Sequence, residues 1–248
     1  MRLMHGMRFA AGTLSVFPVR VERVDREVAG QAMVLAPAVG LVLGGVAGLP
    51  ALLPGPPLLG AALALGLLAV LTRGLHLDGL ADLADGLGSG KPADQALDIM
   101  KKSDIGPFGV MALVFTLLIQ ATALAEAGYA ALVTACVAGR LALTWACRAG
   151  VPAARPGGLG AMVAGTVRPS APWLATPAAL LIAAGLGTLD SGTTGAVVLP
   201  LGLLAGLGAA LLLLRHAGRR LGGITGDVLG ALVETAMAAA LVVCALLG

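Results

Sequence analysis

Three aspartates fall within eight residues, Asp78, Asp82 and Asp85 of His76-Leu-Asp-Gly-Leu-Ala-Asp-Leu-Ala-Asp-Gly86, in a chain that is 58% hydrophobic and only 12% charged. On an α-helix their steps of four and three residues place all three within about 60° around the axis, on one face. Carboxylates held that close raise one another's pKa, so the arrangement makes most sense with a cation among them. Their oxygens are hard ligands, suited to Mg²⁺, Mn²⁺ or Ca²⁺ rather than zinc. The plain alternative is a solvated acidic helix with Gly79 and Gly86 as turn residues.

A second polar stretch, Arg215-His-Ala-Gly-Arg-Arg-Leu-Gly-Gly-Ile-Thr-Gly-Asp227, precedes the last apolar run. Asp227 stands where a helix begins, so it serves either as the N-cap or as a further site carboxylate. Arg155, Arg219 and Arg220, with glycines around them, are candidate phosphate clamps; lipid headgroup contact is the competing role. Gly88-Ser-Gly-Lys-Pro92 is glycine-rich but lacks the P-loop spacing. Cys136, Cys147 and Cys244 fall in apolar runs without a CxxC or Cys/His constellation and read as small buried hydrophobes.

The elements that must position these residues are membrane helices. A soluble domain has about 25% charged residues, and the 37 glycines here suit close helix–helix contact in a bilayer. The expected fold is all-α: a polytopic integral membrane bundle of about seven transmembrane helices, forming one domain over residues 1–248. The apolar runs are 31–53, 58–72, 107–125, 129–147, 173–189, 194–214 and 228–247. Residues 1–30 form an interfacial arm with five arginines, not a cleavable signal, and residues 73–106 form an acidic loop holding six of the thirteen acidic residues. Fifteen of the sixteen Lys and Arg lie in the arm, in 73–106, in 148–172 and in 215–227. The positive-inside rule therefore puts the arm and the acidic and glycine-rich loops in the cytoplasm, and the chain in the cytoplasmic (inner) membrane. Arg140 and Glu234 are buried within spans four and seven at equal depth, which predicts that they pair across the bundle.

Four stretches resemble the membrane-bound cobalamin synthases, or adenosylcobinamide-GDP ribazoletransferases. They are Gly74-Leu-His-Leu-Asp-Gly-Leu-Ala-Asp-Leu-Ala-Asp-Gly86, Ile99-Met-Lys-Lys-Ser-Asp-Ile-Gly-Pro-Phe-Gly109, Ala154-Arg-Pro-Gly-Gly-Leu-Gly160, and Gly222-Gly-Ile-Thr-Gly-Asp-Val-Leu-Gly-Ala231 with Glu234. Together they span nearly the whole chain. In the second block the acid and base are exchanged, reading Lys102 and Asp104.

The resemblance implies that the sugar alcohol of α-ribazole, or of its 5′-phosphate, attacks the cobinamide-linked phosphorus of adenosylcobinamide-GDP and releases GMP. Physical reasoning from the site fits that reaction: Asp82, Asp78 and Asp227 are the expected catalytic residues, with Mg²⁺ on Asp78, Asp82 and Asp85. Arg155, Arg219, Arg220 and Lys101 would hold the phosphates. The expected partners are those two substrates and the lipid bilayer, with no nucleic acid; a homo-oligomer is left open. Asp82-Leu-Ala-Asp-Gly86 also opens the signature of the CDP-alcohol phosphotransferases, but the later G-x3-D-x3-D is missing. A cation transporter is the rival of another class, and it would place its acids near the midplane rather than in a loop.

Overall fold

The computed structural model describes residues 2–248, with side chains from residue 4 onward; Met1 of the expected arm lies outside the described residues. The chain forms helices α1 (Arg2–Leu14), α2 (Arg26–Ala47), α3 (Pro57–Leu71), α4 (Leu75–Gly88), α5 (Ala93–Ile99), α6 (Pro107–Ala146), α7 (Gly158–Val163), α8 (Ala171–Leu221) and α9 (Gly226–Leu247). Among the described residues the β-structure is limited to two isolated bridges, Arg148–Val167 and Ala153–Ile224.

The prolines and glycines set the breaks. Pro54-Gly-Pro-Pro57 ends a short 3-10 turn, Leu49–Leu52, and Pro57 opens α3 at its first position, where a missing N–H costs nothing. Arg73 and Gly74 both take positive φ, 57° and 66°, and the chain leaves α3 to enter α4 at 90°.

Four helices are long and apolar enough to cross a bilayer, or five if α3 and α4 count as one bent span, so the chain is a multi-pass membrane protein. The count of about seven is not established by this measure. Continuous helices are fewer than apolar runs because two of them double back. α6 breaks at Gly128 (φ 76°), and α8 breaks at Ser191 and Gly192. Gln120 and Gly139 both reach the same turn of α9, at Glu234 and Val233, although a straight helix would hold them about 28 Å apart. Likewise the backbone of Gly187 lies against that of Gly195. In an unbroken helix these would be about 12 Å apart.

α9 is the centre of the bundle, packed on α4, α6 and α8, with Val228, Leu232, Val233, Ala236 and Leu241 fully buried. Small residues bring the backbones together. Gly40 and Gly44 of α2 abut Cys136 and Val133 in the second arm of α6, and Gly202 and Gly206 of α8 abut Ala240 and Ala236 of α9. Both pairs have the GxxxG spacing used where bilayer helices touch without side chains between them. The first arm of α6 turns Val114, Phe115 and Leu118 outward, where lipid tails would cover them.

Candidate active site

α4 is carried to its place by a close approach of two backbones. A Cβ at Gly79 would sit 2.8 Å from the Asp227 carbonyl oxygen and 2.9 Å from its Cα, and one at Gly230 would sit 3.1 Å from His76. With glycine at both points, α4 lies directly on the first turns of α9. Asp78 is exposed and Asp82 half-buried, and both share electrostatic range with Asp227. Burial first, then the charges of Asp78, Asp227 and Asp85, push the Asp82 carboxyl up to about 6; Arg155 acts in the opposite direction.

Asp227 does not cap α9, because Thr225 takes that role, its hydroxyl accepting from the Val228 N–H at 3.2 Å. Asp227 is free to point elsewhere. Its carboxylate accepts from the Thr225 hydroxyl at 3.1 Å and from Arg155 at 3.3 Å. The loop bearing Arg155 is fixed by backbone bonds from Ala154 N to Ile224 O, 3.0 Å, and from Ile224 N to Pro152 O, 2.9 Å. The other terminal nitrogen of Arg155, Nη1, is buried without a hydrogen-bond partner among the described residues. A buried donor left without a partner costs about 1–3 kcal/mol, so an anion arriving there is favoured.

Beside Asp78 and Asp82 opens a cavity of about 770 Å³, walled also by Arg73, Lys101, Lys102 and Asp104. Lys101 is thus brought to the aspartates, and its ammonium also meets Asp98 at 3.0 Å. Lys102 and Ser103 belong to the second motif but were not expected as site residues, and Arg73 was signalled only by its place at the edge of the same polar loop.

Asp85 departs from the expected metal set. It is buried, and its two carboxylate oxygens accept from the N–H groups of Gly106 (2.7 Å) and Gly109 (2.9 Å), capping the start of α6. A Cβ on either glycine would lie 2.5 Å from an Asp85 oxygen. Among the described residues no three His, Cys, Asp or Glu side chains converge as a metal site. Asp85→Ala is expected to destabilise the protein by about 1–3 kcal/mol, because two buried backbone donors lose their acceptors. A thermal melt of the purified variant checks this; an unchanged melting temperature would remove the capping role.

Arg219 and Arg220 also lie elsewhere. Arg220 donates to the Lys91 carbonyl at 3.2 Å, and Arg219 lines a different cavity. Deeper in the bundle, the expected Arg140–Glu234 pair is not formed. Arg140 is fully buried with one nitrogen 3.5 Å from His76 Nδ1 and another 3.4 Å from Met237 Sδ, while Glu234 accepts from Gln120 at 2.9 Å. The second arm of α6 and α9 are nevertheless neighbours, as expected. Arg140 braces His76, two residues ahead of Asp78.

The cobalamin-5-phosphate synthase family model matches residues 6–245. The chain belongs to that family. A relative from Frankia casuarinae, named adenosylcobinamide-GDP ribazoletransferase, is 45% identical over 96% of this chain and 94% of its own length. Relatives with the same name from a Nocardioides species and from Pseudomonas aeruginosa PAO1 are 41% and 40% identical, each over 94% of this chain and 95% and 94% of their own. No solved structure matches the chain. The family match runs through all four polar motifs; two of these line the cavity at Asp78 and Asp82, and the other two carry the Arg155–Asp227 pair. The transporter and CDP-alcohol readings have no comparable support.

Proposed function

We propose that this chain transfers the cobinamide-phosphate group of adenosylcobinamide-GDP to the sugar alcohol of α-ribazole or of α-ribazole 5′-phosphate. GMP leaves, and adenosylcobalamin or its 5′-phosphate is formed. The observation that carries this reading is that Asp78 and Asp82 line a polar cavity within electrostatic range of Asp227 and of a half-buried Arg155 whose Nη1 has no partner among the described residues. Acids and an orphaned cation side by side suit a phosphate that must be both held and attacked.

The donor set fits Mg²⁺, which takes one or two carboxylates and fills its remaining positions with water and substrate phosphate. Asp78 and Asp82 would hold it, with Asp85 committed to α6. Bound there, Mg²⁺ would supply charge neutralisation on the phosphates. The protein's own groups do the rest. Arg155 would donate Nη1 to a phosphate oxygen, and Lys101 would add positive charge from the wall of the cavity. The new P–O bond forms from the acceptor alcohol as the P–O bond to GMP breaks, and the alcohol proton passes to a carboxylate, with Asp227 the one not needed for the cation. Positioning and charge, rather than a covalent intermediate, account for the catalysis.

The test is GMP release by the purified protein in liposomes. Chelation with EDTA is expected to abolish it and Mg²⁺ or Mn²⁺ to restore it; full activity after exhaustive chelation would refute the cation site. The distribution of Lys and Arg supports a cytoplasmic active site in the inner membrane. A reporter after Gly248 should then read as external and one at Gly90 as internal, and the reverse pattern would invert the orientation.

A further inference from the structure

Behind the bridge between Ala153 and Ile224 lies a second cavity, about 500 Å³, walled by Arg148, Arg215 and Arg219 and by no Asp or Glu. Arg215 and Arg219 are four residues apart on α8, a spacing at which like charges oppose each other on a helix face. None of the three has a carboxylate partner among the ion pairs of the described residues. Arg148 is held in place from behind. It donates to the Trp145 carbonyl at 2.8 Å, and its guanidinium carbon lies 5.7 Å from the Trp145 ring centre. Trp145, Leu211 and Leu214 make the rest of the wall largely apolar.

Three guanidiniums with no counter-charge, set against an apolar wall, fit a phosphate ester carried on an apolar or aromatic body. Arginine's planar fork matches phosphate oxygens two at a time, which an ammonium cannot do. Two segments of the cavity wall also lead on to the carboxylate site. Pro152 and Ile224 line it, while three residues further along the two segments stand Arg155 and Asp227, paired with each other. Three extended residues span at most about 10–11 Å.

We propose that this cavity is a phosphate-binding subsite. Two sources share its chemistry, the 5′-phosphate of an α-ribazole 5′-phosphate acceptor and the headgroup of an anionic phospholipid. Only the first rests on the transfer reaction proposed above.

The test compares the full-length protein in nanodiscs with the double variants Arg215→Gln/Arg219→Gln and Arg215→Lys/Arg219→Lys. Both arginines are exposed, so the fold should tolerate the changes. If the acceptor fills the site, the ratio of kcat/KM for α-ribazole 5′-phosphate to that for α-ribazole falls at least tenfold in the glutamine variant and recovers partly in the lysine variant. A merely structural role would lower both acceptors together and leave the ratio alone. If lipid fills it, the ratio holds, and native mass spectrometry finds phosphatidylglycerol retained by the parent protein but lost from the glutamine variant. An unchanged ratio together with unchanged phosphatidylglycerol retention overturns the proposal. Should no acceptor be turned over at all, the transfer reading fails separately, and the subsite is judged by lipid retention and by whether α-ribazole 5′-phosphate raises the melting temperature of the parent but not of the glutamine variant.

Discussion

Asp82→Asn is expected to cut GMP release at least about a hundredfold while leaving membrane insertion and the melting temperature near those of the parent protein. The change keeps the side chain's shape and removes its charge. Asp82 is half-buried between Asp78 and Asp227, where charge repulsion and burial already weigh against the ionised form. Removing one negative charge there relieves the apoprotein, so the fold should not suffer, but a hard cation loses a ligand it binds through charge. Asp94→Asn supplies the control. Asp94 is exposed on α5, away from the wall of the cavity, and its loss should be nearly silent. Comparable losses at both positions would mean that the loop acts only through its overall acidity.

Gly79→Ala should be nearly as damaging without touching any charge. The new methyl carbon would lie 2.8 Å from the Asp227 carbonyl oxygen and 2.9 Å from the Asp227 Cα. Backbone atoms cannot swing aside as a side-chain tip can, so α4 must slide or lift from α9. Overpacking of this kind costs about 1–3 kcal/mol, which a large bundle survives. The chemistry is less forgiving, since a displacement of about 1 Å between reacting groups can cost about a hundredfold in rate. Transfer is therefore expected to fall by about that factor in protein that still purifies as a folded species. Gly66→Ala on α3, where a Cβ meets nothing within 4 Å, should leave the rate unchanged. Equal rates for the two variants would show that the α4–α9 contact does not set the site.

Much of this site was legible in the sequence because charge is so rare in it. The acidic helix, the glycine turns that end the apolar runs and the loops that carry basic residues all follow from local composition, and the structure bears out breaks at Gly128 and at Ser191–Gly192. What was not legible depends on distant backbone. Asp85 shares a helical face with Asp78 and Asp82, but amide groups 21 and 24 residues later claim its oxygens. Thr225, two residues before Asp227, is the cap because it holds the extended position just ahead of Gly226, whereas Asp227 already lies in the first helical turn. Gly139 and Val233, the residues just ahead of Arg140 and Glu234, do meet, yet level along the bundle is one coordinate only. The angle around each helix axis gave Arg140 to His76 and Glu234 to Gln120. The signal overlooked was Gly79 itself, a helix-weakening residue amid an acidic helix, which usually marks a place where two backbones meet.

The guanidinium of Arg26, at the head of α2, donates to the carbonyls of Ala161 and Ala164, both at 2.6 Å, at the end of α7. The partners are separated by 135 and 138 residues. On a ribosome, α2 emerges first among the long apolar helices and must wait for its clamp. At about 5–20 residues per second that wait is on the order of ten seconds or more. Through this interval the amino-terminal arm can rest on α2 and on the α3–α4 corner, where Arg73 donates to the Gly12 carbonyl, and the order of birth along the chain makes the Arg26 latch one of the late closures of that end of the bundle.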